Sequence, residues 1–187
     1  TSSQTDGWSR GQENLLAYCR DNKLPMIFGW GPFGHASRPS MVNSAVYDFP
    51  WRNIVRSEAY PVFTNAVSDD TYPGFRGKGE DQEGQINGYF RWKNMEDNKD
   101  RFSMELRLVR QDELGKPAAI PKQATANVTL RRLQNFMTRE GMSYAWKMSR
   151  KGKQLQAGTQ VAGKDGLLTF PKVVIGATAT LEITPRK

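Results

Sequence analysis

Residues 103–108 read Ser103-Met104-Glu105-Leu106-Arg107-Leu108, and in them apolar and polar side chains alternate without a break. A strict period of two places Met104, Leu106 and Leu108 on one face and Ser103, Glu105 and Arg107 on the other, the pattern of a half-buried strand. Upstream, Ile86, Gly88, Phe90 and Trp92 alternate with Asn87, Tyr89 and Arg91. Downstream, Tyr144, Trp146 and Met148 share one face of Ser143 to Met148. Further strands are predicted at Ala124 to Leu130, Gln154 to Val161, Leu167 to Phe170, Val173 to Ile175 and Ala179 to Ile183. Gly163-Lys164-Asp165-Gly166 suits a hairpin connection, and the basic run Lys147 to Lys153 suits a solvated hairpin tip. Seven or eight short strands in little more than a hundred residues predict an antiparallel β-sandwich of fibronectin type III or immunoglobulin-like kind over residues 75–187.

Residues 1–74 have a different grammar. Ser9 and Gln12 have the spacing of a capping box, which predicts a helix from Arg10 to Asp21 with Leu15, Leu16 and Cys19 inward. Asn22, Lys23 and Pro25 end it, and Met26 to Trp30 suits a buried strand. Gly29, Gly31, Pro32 and Gly34 then turn the chain sharply and leave His35 on a loop. A second helix is expected from Phe49, with Pro50 in its first turn, Trp51, Ile54, Val55 and Glu58 at helical spacing, and Pro61 as its stop. The Gly- and acid-rich stretch Ser68 to Gly84 reads as the domain boundary. The fold class expected is therefore α+β.

The chain has 187 residues, 37% of them hydrophobic and 25% charged, the balance of a globular protein with its own core. Its single cysteine excludes an internal disulfide and the zinc patterns built on paired cysteines. No apolar run has the length of a membrane helix. The net charge of +8 is unevenly spread: residues 1–75 carry 6 basic and 7 acidic groups, residues 76–187 carry 21 and 12. A basic β domain suits an anionic polysaccharide or an acidic surface, or serves solubility alone.

His35 is the single histidine, and imidazole is the side chain suited to proton transfer near neutrality. Thr5-Asp6-Gly7-Trp8, the helix around Arg10 to Leu16, and Leu24 to His35 together resemble the end of an α/β-hydrolase of the prolyl-oligopeptidase or esterase type. Gly84 to Trp92 and Val128 to Gln134 resemble a sandwich domain fused to such enzymes in exported bacterial proteins. The resemblance implies a secreted or periplasmic serine hydrolase acting on an ester or peptide, without a cofactor. In it Asp6 orients the imidazole of His35, which serves as base for a serine in the upstream part of the same hydrolase, before Thr1. No G-x-S-x-G motif precedes His35; Gly141-Met142-Ser143-Tyr144-Ala145 is a near miss inside a strand, and Ser143 is rejected as nucleophile. An isolated chain with acid and base alone does not turn over substrate. The alternative reading is a noncatalytic sandwich module binding an anionic polysaccharide or a protein partner.

Two further clusters complete the reading. Asp69, Asp70, Glu80, Asp81 and Glu83 offer hard oxygen ligands but match no calcium loop, and a solvated linker is the simpler account. Arg131, Arg132, Arg139, Lys147, Arg150, Lys151 and Lys153, interleaved with Phe136, Tyr144 and Trp146, suit a basic aromatic surface for nucleic acid. The alternation instead sends Tyr144 and Trp146 to the core, which makes nucleic acid the weaker reading. Trp51 suits the core as well, while Trp8 and Trp30 suit either the core or a pocket lining.

Overall fold

The structure is a computed structural model that describes residues 14–15, 17–19, 21–22, 54–68, 89–113 and 120–186. Among these residues eight strands carry the fold: β1 (Tyr60–Ser68), β2 (Phe90–Asn98), β3 (Arg101–Leu108), β4 (Ala124–Arg131), β5 (Ser143–Arg150), β6 (Lys153–Val161), β7 (Thr169–Ile175) and β8 (Ala179–Pro185). They form two antiparallel sheets, of order β1-β4-β7 and β2-β3-β8-β5-β6. Aromatic pairs join the sheets face to face. Phe63 of β1 meets Phe90 of β2 at 4.6 Å between ring centroids, and Trp146 of β5 meets Phe170 of β7 at 5.6 Å. The alternations at Met104, Leu106 and Leu108 and at Tyr144, Trp146 and Met148 all point into this core.

The α+β class and the α/β-hydrolase resemblance are both overturned: the described residues are nearly all β, with α-helix only in one short piece at residues 14–15, 17–19 and 21, and a 3-10 turn at Gln111–Glu113. Asn22 ends that piece, its backbone and side-chain nitrogens both donating to the Tyr18 carbonyl. Cys19 is buried as expected, but Leu15 is exposed. The second expected helix does not run through residues 54–58, which form turns before β1. Pro50 and Pro61 leave only about ten residues between them, too few for a helix to sustain itself without packing. Pro61 instead sits near the start of β1, where its missing N–H is harmless because β1 is an edge strand. Asn65, at a φ of 48°, forms the bulge that shifts the β1–β4 register.

The sandwich also departs from the immunoglobulin order. Strands β4 and β7 pair in one sheet and β5 and β8 in the other, as the B–E and C–F pairs of an immunoglobulin domain do. The strand on the far side of β8 from β5 is β3, however, which precedes β4 in the chain; an immunoglobulin domain fills that place with its last strand. Two turns differ in role as well. Lys151 and Gly152, with φ of 50° and 77°, make a two-residue hairpin between β5 and β6, as the basic run suggested. Gly163 to Gly166, expected to be a hairpin, crosses between the sheets from β6 to β7.

The end of the sandwich away from that crossing brings charged residues together. The opposite end is held by side chains on backbone: Asp97 accepts the N–H groups of Gln134, Asn135 and Phe136, and the Tyr144 hydroxyl bridges the Met137 carbonyl and the Arg139 N–H.

Candidate anion-binding groove

Four segments distant in sequence meet where β3, β5 and β7 end. Leu108 leaves β3 and its N–H donates to the Gly176 carbonyl at 2.8 Å, which ties the exit of β3 to the β7–β8 connection. Gly176 lies so near the entry to β4 that a Cβ there would stand 2.9 Å from the Lys122 carbonyl oxygen. The lack of a side chain is what allows this approach. The hairpin tip adds Arg150 and Lys151. Between these segments lies an open cavity of about 600 Å³, and beside it a second of about 410 Å³ that shares Lys122, Arg150, Gly176, Ala177 and Ala179.

The first cavity is lined by five cationic side chains, Arg107, Arg110, Lys122, Arg150 and Lys151, and by one carboxylate, Glu105. Two of these six are already engaged. Glu105 pairs with Lys93 at 3.4 Å. Arg107 donates twice to Glu113, at 2.5 Å each, and once to its neighbouring Leu108 carbonyl. The hydrogen bond from Arg107 holds the Glu113 carboxyl well below its ordinary value of 4.5, at about 2, against the upward push of burial. The same bond raises Arg107 further above its already high value. The side chains of Arg110, Lys122, Arg150 and Lys151 are exposed and make no ion pair with a described residue. Ile120, Ala177 and Ala179 supply an apolar floor, and Ser149, Thr178 and Thr180 supply hydroxyls.

Arginine forks and lysine ammonium groups around a shallow cavity recognise carboxylate, sulfate or phosphate. Among the described residues no hydroxyl of the groove is paired with a base, and no group of three metal-ligating side chains occurs.

A search of protein-family models, of curated proteins and of solved structures finds no match to this chain.

The proposed triad partners Asp6 and His35, the acidic cluster from Asp69 to Glu83, and Trp8, Trp30 and Trp51 lie outside the described residues. Ser143 begins β5, and its carbonyl accepts the Arg186 N–H. Of the basic aromatic set, Phe136, Tyr144 and Trp146 are buried, while the arginines and lysines are exposed. No helix among the described residues is long and apolar enough to cross a membrane. Lys122 and Arg110 carried no signal in the sequence, because only the pairing of β4, β7 and β8 with their neighbours brings them to the hairpin tip.

Proposed function

We propose that this chain is a noncatalytic β-sandwich module that binds an anionic polysaccharide in the groove between the β5–β6 tip and the β7–β8 connection. One observation carries the reading: four exposed cationic side chains from three separate segments converge on one cavity and have no carboxylate partner among the described residues. A cavity with a small apolar floor, hydroxyls and fixed cations suits a sugar ring bearing an acidic group. Nucleic acid is disfavoured because sequence-tolerant binding of bases relies on exposed aromatic faces, and none of the described residues lining the groove is aromatic.

The test is calorimetric titration with heparin and with a polyuronate over a salt series. Affinity should fall steeply with salt, since ionic contacts at an open surface are screened. Reversing Lys122→Glu together with Arg150→Glu should weaken binding about tenfold or more, some 1.4 kcal/mol. Reversing Arg139 and Lys164, at the opposite end, should leave it nearly unchanged. Equal loss in both double variants would mean that total charge, and not the groove, attracts the polyanion.

A further inference from the structure

Among the described residues four strands lie at sheet edges, and three of them are obstructed. Strand β1 carries Pro61 and the bulge at Asn65. Strand β2 is broken between Lys93 and Glu96, with Asn94 at a φ of 51°. Strand β7 contains Pro171 and Lys172, the latter at a φ of 50°, and its backbone is occupied by the side-chain amide of Gln156, which donates to the Lys172 carbonyl and accepts the Val174 N–H, both at 3.0 Å. Such bulges, prolines and charges are the usual protection of an open edge.

Strand β6 has such features only at its start, in Lys153 and a register shift at Leu155. From Gln154 to Ala162 the sequence is Gln-Leu-Gln-Ala-Gly-Thr-Gln-Val-Ala, without charge or proline. Beyond an irregularity at Leu155, Gln156 to Val161 pair residue for residue with Met148 to Ser143. The Ala162 N–H donates to the Met142 carbonyl at 3.0 Å. Because antiparallel pairs alternate in the direction of their hydrogen bonds, Val161, Thr159 and Ala157 turn their N–H and C=O groups away from β5, out of the sheet. Leu155 and Val161 are 46% and 51% exposed.

We infer that β6 pairs antiparallel with β6 of a second copy, about a two-fold axis near Gly158, to give a continuous ten-stranded sheet. The strand is self-complementary about that residue. Ala157 of each copy faces Thr159 of the other, and exposed Leu155 faces exposed Val161, so the apolar side chains cover one another at both ends. No like charges oppose each other within the paired strands, and the contact is closed, since the same strand serves both copies. The net charge of +8 on each copy acts against association from a distance, so added salt should strengthen this contact while it weakens polyanion binding.

Sedimentation of the full chain over a concentration series, at low and high salt, tests the pairing. Wild type should self-associate to a dimer, more tightly at high salt. Val161→Lys places two charges in the paired strands and should raise the dissociation constant on the order of tenfold or more. Backbone amide exchange at Ala157, Thr159 and Val161 should slow as protein concentration rises, and this readout does not depend on any variant. A chain that stays monomeric to about 1 mM, a Val161→Lys variant that associates as wild type does, or amides slowed only by an added extended peptide would each overturn self-pairing.

Discussion

Glu113 grips Arg107 with both carboxylate oxygens, and directly across the sheet from Arg107 stands Arg91, its register partner on β2. Two arginines opposite one another on neighbouring strands repel. The carboxylate from the 3-10 turn Gln111–Glu113 offsets that repulsion, and Glu113 Oε2 also accepts the Arg110 N–H at 2.7 Å.

Acid should reveal this grip. The Glu113 carboxyl is held at about 2, below its ordinary 4.5, by the Arg107 hydrogen bond. A depressed acid contributes stability that is fully present above about pH 4.5 and is lost as pH falls toward 2. Glu113→Gln should therefore lower the unfolding free energy at neutral pH by about 1 to 2 kcal/mol for a charged hydrogen-bonded pair at a partly open site, read as a lower urea midpoint. It should also flatten the decline between those two pH values. An unchanged acid limb in the variant would show that other carboxylates set it.

Asp97 should matter more than its surface position suggests. Its carboxylate satisfies three consecutive backbone donors, Gln134, Asn135 and Phe136, at 2.6, 3.2 and 2.6 Å. Asp97→Ala leaves them to water and frees Phe136, whose ring packs on Phe102 and Tyr144. The expected cost is about 1 to 3 kcal/mol, read as a lower denaturation midpoint. Exchange of the amides at 134–136 should quicken in parallel.

Tyr144→Phe isolates the hydroxyl. The ring stays in the core, but the Met137 carbonyl and the Arg139 N–H each lose a partner at 3.1 Å. A loss of about 1 to 2 kcal/mol is expected, with the near-ultraviolet dichroism of the core aromatics retained. A variant as stable as wild type would mean that water replaces the bridge without cost.

Gly158→Ala tests packing on the inner side of β6. A Cβ there would stand 2.9 Å from Nε1 of Trp146, which is itself buried against Phe170. Overpacking of this kind costs about 1 to 3 kcal/mol. The tryptophan fluorescence should shift as the indole is displaced.

Much of the β architecture was legible because a half-buried strand writes its period into the chain. Met104, Leu106 and Leu108, and again Tyr144, Trp146 and Met148, alternate in sequence and are buried in the fold. The sequence misleads where proline reads as a stop. Pro61 lies inside β1, and Pro171 inside β7, which joins what read as two separate strands. Both edges tolerate a missing donor, and edge position is a tertiary fact. Phe136 looked like part of a surface set, yet Asp97, 39 residues upstream, fastens its loop over the core. The groove was illegible for the same reason: the hairpin tip was visible in the sequence, but its companions Lys122 and Arg110 come from segments that meet only through long-range pairing.

Strand β8 is the last of the eight in chain order and the central strand of its sheet, between β3 and β5. During synthesis the β2–β3 and β5–β6 hairpins therefore emerge as two separate halves with open edges, and neither finds its partner until β8 leaves the ribosome. Contacts of such long sequence span form late and slowly, and exposed strand edges on a nascent chain invite misassembly. Removing β8 should leave two unjoined hairpins and not a slightly smaller sheet.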